Sequence, residues 1–434
     1  MAYKTFSGGI HPNDYKSFSK DQKIEKMLIP KRIIVPLSQH IGGLATPTVQ
    51  VGDHVKTGQR IAEASSYLSI PMHSSITGTV TAIDSFPHPT GSMVVGIEIE
   101  SDGNDEWVDM IDDEEYMSLS VEEMLNRIRE SGMCGMGGAG FPTHVKLQPP
   151  KDKPIDTVIV NGVECEPYLT ADCRLMIENP EVIIKGLKIV MKILGAERGI
   201  IGIEANKPKS IKMLKELVKS EPNIRVDALR LKYPQGAEKQ LVYATTKRKI
   251  PTRGGLPSSV GTMVDNVATL ISIYSAVRHK RPLVERVVTV TGKILKKPSN
   301  FSARLGTKIS ELIDRCGGTT EPIAKVIVGG PMMGYAINNL DAPVTKTTSG
   351  IVLLGKSEAY FEEEHTCLRC GRCVDVCPSY LMPSFIASSV KYRDFKEAER
   401  AGVKDCMKCG CCTYVCPAHI RIGQWIEIGR QHVK

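Results

Sequence analysis

Eight of the thirteen cysteines in this 434-residue chain fall in two runs near its C-terminus, and no other feature constrains the fold as tightly. Cys367, Cys370, Cys373 and Cys377 precede Pro378, and Cys406, Cys409, Cys412 and Cys416 precede Pro417, so C-x2-C-x2-C-x3-C-P occurs twice. This spacing places three thiolates on a tight loop around one cubane and sends the fourth ligand to the neighbouring cluster. The predicted ligand sets of two [4Fe-4S] clusters are Cys367, Cys370, Cys373, Cys416 and Cys377, Cys406, Cys409, Cys412. A C-x2-C pair also suits tetrahedral Zn, but the third Cys, the fourth Cys and the Pro recur in both runs, which favours iron-sulfur. The chain is expected to move electrons. Cys411 falls outside the spacing and is read, with Cys134, Cys165, Cys173 and Cys316, as a free thiol in a reducing compartment.

The length suggests about three domains. A hydrophobic content of 41% and a charged content of 24% fit a soluble globular protein. The most apolar stretch, Val182 to Leu194, is interrupted by Lys185, Lys188 and Lys192 and so predicts a helix with one wet face, not a membrane span. The first residues lack the apolar core of a secretory signal, so a cytoplasmic location is expected. The net charge of +8 is concentrated between Lys207 and Arg253, with thirteen Lys and Arg against four Asp and Glu. Nucleic acid is not expected as a partner. Aromatic residues are only 5%, no nucleic-acid module is visible, and the lysines of KSIKMLKELVKS have the spacing of a solvated helix face.

The predicted fold is multidomain α/β. Residues 1–100 carry short alternating runs punctuated by Gly, Pro and Ser, which read as small antiparallel β. VGDHVKTGQRIAEA followed by IPMHSSITGTVTAI resembles the barrel-sandwich hybrid of biotinyl and lipoyl carriers, but the stretch matching the carrier hairpin tip, SIPMHSS (69–75), has no Lys to modify. The fold without the carrier function is expected. After an acidic block, Ser120 and Glu123 form a capping box. Residues 120–280 then alternate apolar strands with helical periods, predicting an α/β domain with its ligands at the strand C-termini. Residues 281–355 look like a β-grasp module of the soluble-ligand-binding type, and residues 358–434 an α-helical two-cluster module.

The second informative stretch is GMGGAGFPTHVK, from Gly135 to Lys146. Glycine density lets backbone N–H groups approach a phosphate, and Lys146 adds a point charge. Asn161, Glu164, Glu166, Asp172 and Arg174 follow at a predicted strand end, where a buried core would not tolerate them unpaired. GMGGAGFPTHVK, NGVECEP and DNVATL resemble, in the same order, signatures of the NADH- and FMN-binding subunit of respiratory complex I. With the N-terminal hybrid module and the two cysteine runs, nearly the whole chain resembles the C subunits of Rnf-type ion-translocating oxidoreductase complexes.

The resemblance implies a non-covalent FMN with Gly135, Gly137, Gly138 and Lys146 near its phosphate, and with Asn161, Glu164, Asn266 and Thr269 lining the rest of the flavin site. It implies NADH/NAD+ as the nucleotide, with Phe141 stacking, Glu166 hydrogen bonding, Glu204 on a ribose hydroxyl, and Lys232 or Glu238 nearby. It also implies peripheral docking on membrane subunits at the cytoplasmic side of the membrane, through the cluster module. Two departures stand out. Val163 occupies a position that is acidic in the complex I pattern, and Leu147, Gln148 and two prolines follow Lys146 in place of an aromatic residue. A cobalamin reductase of propanediol utilisation shares these parts but is expected to begin with the Gly-rich domain, whereas about 130 residues precede it here. An iron-sulfur adaptor with no nucleotide is the remaining alternative.

Overall fold

The computed structural model describes residues 3–359 and 362–433. The hybrid region is two small antiparallel sheets. One is four-stranded, in the order Arg32–Pro36, Met93–Ser101, Gly78–Pro87, His54–Val55, and the other joins Thr46–Pro47, Arg60–Glu63 and Met72–His73. Alternation buries Ile33, Val35, Ile97 and Ile99 between them. The tip segment has a positive role. Ser69, Ile70, Met72, Ser74 and Ser75 are fully buried, the Pro71 carbonyl accepts from Lys346 Nζ at 3.2 Å, and Ser75 Oγ donates to the Leu305 carbonyl. Where a carrier exposes its hairpin tip, this chain drives it inward as an anchor between domains.

The α/β domain holds four parallel strands in the order Ile224–Leu229, Arg198–Glu204, Thr157–Gly162, Thr262–Asn266. Their almost continuous burial suits a sheet covered on both faces. The helix Pro180–Leu194 packs on Val267–His279. Its Ile183, Leu187 and Val190 are fully buried, each contributing about 1.5–3 kcal/mol, while Lys188 and Lys192 reach Glu221 and the Leu119 carbonyl on the wet side. The Ser120 cap forms as predicted, its Oγ accepting from Glu123 N at 3.1 Å. Because the strand order runs outward from Thr157–Gly162 in both directions, the ends of that strand and Thr262–Asn266 form the switch point where such sheets bind ligands.

A six-stranded mixed sheet follows, in the order Ile24–Lys26, Ser299–Arg304, Glu285–Thr291, Gly350–Leu354, Lys325–Val328, Tyr335–Ile337, with one helix, Ile309–Arg315. Its core is continuous with that of the α/β domain. The edge strand Ile24–Lys26 comes from the N-terminal region, parallel to Ser299–Arg304. The residues before it form an arm along the α/β domain, in which Arg230 N donates to the Lys4 carbonyl and Ile10 and Tyr233 exchange backbone hydrogen bonds at 2.8 and 2.9 Å. The C-terminal module packs Pro383–Lys391, Phe395–Arg400 and Ile422–His432 around Ile386, Val390, Ile422 and Ile426. No helix among the described residues is long and apolar enough to cross a membrane.

Candidate functional site: a switch-point crevice beside a cysteine loop

The glycine-rich stretch folds onto the start of the helix Val267–His279, at the switch point. Met136 N donates to Thr269 Oγ1 at 3.0 Å, Gly135 N to the Phe141 carbonyl at 2.8 Å, and Gly137 lies so close that a Cβ there would stand 3.3 Å from that of Asn266. Asn266 caps the helix, with Oδ1 accepting from Ala268 N at 2.9 Å and Nδ2 donating to Asp172 Oδ2 at 2.7 Å. On the neighbouring strand Asn161 Nδ2 donates to the Gly236 carbonyl at 2.8 Å. Gly138 has open space where a side chain would stand.

From Asp172 the polar set runs inward. Asp172 N donates to Glu164 Oε1 at 2.7 Å, and Glu164 Oε2 lies 3.9 Å from Lys16 Nζ and 4.0 Å from Lys207 Nζ. Lys207 also stands 3.6 Å from Glu204 Oε2. Burial pushes Glu164 up to about 7, against the pull of Lys16 and Lys207, and likewise raises Glu166 to about 7, against N–H groups of Met332 and Met333. Glu164 Oε2, Glu166 Oε1 and Glu204 Oε2 are buried without a hydrogen-bond partner. Such acceptors are costly unless a ligand donor meets them. The loop itself is strained, since Glu164 and Tyr168 adopt φ of 50° and 71°. Left-handed backbone in L-residues costs about 1–2 kcal/mol each and persists where its surroundings enforce it.

The same loop reaches the cysteines. Glu166 Oε2 accepts from Met332 N at 3.0 Å and packs on Gly330, where no side chain would fit. The Met332 carbonyl stands 3.2 Å from where Gly410 would carry a Cβ. Tyr233, Cys409 and Cys411 share a buried cluster with Ile10, flanked by Cys165 and Met332. Cys377, Cys406 and Cys412 are raised by burial and then by the negative charge of neighbouring cysteines, with Cys412 pushed up to about 12. Among the described residues no three Cys, His, Asp or Glu side chains converge closely enough to share one ion, as ligands about 2.3 Å from a Zn do. Cys367 and Cys370 are exposed, while Cys373 is buried.

Comparison with known proteins places these parts in one order. Residues 4–104 match the family described as RnfC barrel sandwich hybrid domain, 128–275 the Nuo51 FMN-binding domain, 287–336 the SLBB domain and 359–417 the 4Fe-4S dicluster domain. The chain is 47% identical over 385 residues to the C subunit of the proton-translocating ferredoxin:NAD(+) oxidoreductase complex of Clostridium ljungdahlii, covering 88% of this chain and 84% of that one. It is 42% identical to the C subunit of the Na(+)-translocating ferredoxin:NAD(+) oxidoreductase complex of Acetobacterium woodii, covering 89% and 87%. The chain belongs to the family of C subunits of ion-translocating oxidoreductase complexes. An NAD+-reducing [NiFe]-hydrogenase in the air-oxidized state shares the fold over 71% of this chain and 63% of its own, with a TM-score of 0.51 and 18% identity.

The structure brings several of the candidate site residues together and holds others elsewhere. Gly135, Gly137, Gly138, Asn161, Asn266 and Thr269 converge at the crevice, and Glu164 joins them through Asp172. Phe141 is half-buried at the loop's far end, next to Gly140, whose carbonyl accepts from Ile41 of the hybrid region at 3.0 Å. Lys146 lies at the crevice but donates to Asp265 Oδ1 at 3.0 Å and to the Val264 carbonyl, leaving one of its three N–H bonds. Thr269 spends its oxygen on the glycine loop. Glu204 is fully buried and bound to Lys207 and Lys232 N. Lys232 Nζ is taken up by the arm, 3.0 Å from the Phe6 carbonyl. Lys16, Lys207 and the Gly329–Gly334 loop were not singled out from sequence. The glycines of VGGPMMG were the visible signal for the last, whereas a lysine in an arm and one opening a lysine-rich helix carry none.

Proposed function

We propose that this chain is the peripheral NAD(H)-reacting subunit of its complex, passing electrons between NAD(H), a non-covalent FMN and two [4Fe-4S] clusters in ferredoxin:NAD+ oxidoreduction. FMN, when bound, supplies the conversion between two-electron exchange with nicotinamide and one-electron exchange with an iron-sulfur cluster. The residues present suit it. Gly135, Gly137 and Gly138 offer backbone to a phosphate beside the capped helix start and the remaining Lys146 donor, while Asn161, Glu164, Asn266 and Thr269 frame the crevice. Phe141, Glu166 and Glu204 are assigned to the nucleotide. The observation that carries the reading is the Glu166–Met332–Gly410 chain, which links the loop carrying Glu164 and Glu166 to one cysteine loop through Met332.

With that contact in support, we assign Cys377, Cys406, Cys409 and Cys412 as the inner ligand set and Cys367, Cys370, Cys373 and Cys416 as the outer one. The cluster module also exposes Leu368, Tyr380, Met382 and Tyr392, the last at 81%. Large apolar side chains gathered on a module of this size mark a partner surface, and we assign it to the membrane subunits, on the cytoplasmic side. Purified protein with reconstituted clusters is expected to hold about one FMN and about eight irons per chain, and NADH is expected to bleach the cluster absorbance. Absence of flavin and of bleaching would leave an iron-sulfur adaptor. Failure to restore ferredoxin-dependent NAD+ reduction to membranes lacking this chain, with NADH bleaching intact, would favour the cobalamin-reductase alternative.

A further inference from the structure

The N-terminal arm sends a buried ammonium beneath the loop that carries Glu164. Lys16 is 5% exposed, its Nζ donates to the Leu169 carbonyl at 2.6 Å and the Glu166 carbonyl at 2.9 Å, and it stands 3.9 Å from Glu164 Oε2. The arm is held on both sides of this lysine. The Asp14 carbonyl accepts from Tyr168 N at 2.7 Å, Tyr15 stacks on Tyr168 with centroids 4.6 Å apart, and Ser19 Oγ bonds Thr170 Oγ1 at 2.7 Å. These contacts clamp the left-handed Glu164 and Tyr168. Four groups face the Glu164 carboxyl: Lys16 from the arm, Lys207 ahead of the helix Pro208–Leu217, and Asp172 and Cys173 from the helix Ala171–Glu178. Only the two lysines are cationic, and Glu204 draws on Lys207 as well.

We infer that Lys16 is a positioning residue for the flavin site, its ammonium keeping Glu164 ionised in a buried loop so that Glu164 accepts from the flavin imide N–H. This rests on the functional reading above, which places Glu164 in the flavin site. Burial raises Glu164 to about 7 and Lys16 lowers it. In the wild type, FMN therefore binds more tightly as pH rises through about 7, where Glu164 ionises. Without Lys16 the carboxyl ionises at higher pH, and the transition moves upward by about one to three pH units.

The test is an FMN titration, read by flavin fluorescence quenching, on the full chain with clusters reconstituted and flavin removed, from pH 6 to 9. Lys16→Gln keeps a donor for the two carbonyls, one atom shorter, and removes only the charge. It is expected to shift the pH midpoint upward and to weaken binding at least about fivefold at pH 7, the loss of ionised Glu164 that a one-unit rise from about 7 brings. Lys16→Arg is expected to restore the wild-type midpoint. Lys4→Met removes the arm's other ion pair, with Asp227 at 2.7 Å, and is expected to leave the midpoint unchanged, which separates charge at Glu164 from loosening of the arm. Should Lys16→Gln not fold, Glu164→Gln carries the test, and its FMN affinity is expected to lose its pH dependence across this range. A wild-type midpoint and affinity in Lys16→Gln, or an equal shift in Lys4→Met, overturns the inference while leaving the flavin site standing. Failure of the wild type to bind FMN overturns the functional reading and this inference together.

Discussion

The two cysteine runs have one sequence pattern and two environments. Position for position they share backbone, with left-handed φ at Arg369 and Lys408, at Gly371 and Gly410, and at Tyr380 and His419, and a four-residue helix follows each glycine, Arg372–Asp375 and Cys411–Tyr414. The surroundings then diverge. Gly371 has nothing near its missing side chain, whereas Gly410 lies against Met332. Cys370 is exposed, and its counterpart Cys409 is buried. Arg372 is exposed to water, while Cys411 at the matching position is fully buried, with its thiol 4.0 Å from the Tyr233 carbonyl. The shared spacing gives both runs the same backbone, and the contact surface sets one of them, through Met332, beside the loop carrying Glu164 and Glu166.

The comparison breaks most sharply if the runs are interchangeable. Cys409→Ala is expected to remove the inner cluster and abolish NADH-driven reduction of the outer one. Cys370→Ala is expected to lose the outer signal while leaving NADH reduction of the inner cluster intact. Electron paramagnetic resonance after NADH addition reads both, and equal effects would remove the inner and outer assignment. Gly371→Ala and Gly410→Ala each place a side chain in left-handed backbone at a cost of about 1–2 kcal/mol. Gly410→Ala is expected to lower the thermal midpoint further, because its Cβ also meets the Met332 carbonyl at 3.2 Å. The smallest effect belongs to Cys411. Cys411→Ala is expected to keep both cluster signals and to cost about 1 kcal/mol, the scale of a small buried deletion, whereas Arg372→Ala is expected to be neutral by thermal melting.

Much of the architecture is legible in the chain because the signals are local. The cysteine spacing, the period of Pro180–Leu194, the Ser120 cap and the alternating strands of the hybrid region each depend on residues a few positions apart. The glycine-rich stretch likewise announces close backbone approach without its partners. What is hidden involves groups far apart in sequence. Nothing near SIPMHSS shows that Lys346 will cap its Pro71 carbonyl, and nothing near Lys16 shows that it will reach Glu166 and Leu169. The lysines of KSIKMLKELVKS form a solvated face as their spacing suggests, with Lys212, Lys215 and Lys219 exposed, whereas Lys207 just ahead is buried on Glu204, Lys232 is bound by the arm, and Arg248 is paired with Asp156 at 2.9 Å.

By itself the sequence determined the kinds of ligand this protein can hold, because thiolate spacing and glycine density are properties of short segments. It determined the family as well, through motifs that keep their order along the chain. Tertiary structure alone decided that one cysteine loop lies beside the loop carrying Glu164 and Glu166, joined to it through Met332, that the hybrid tip is an anchor, and that an N-terminal lysine stands beside a buried carboxylate. The physical reason is that buried charges and polar atoms are satisfied by whatever the fold brings within about 3–4 Å, and that proximity is a property of packing which no short segment records.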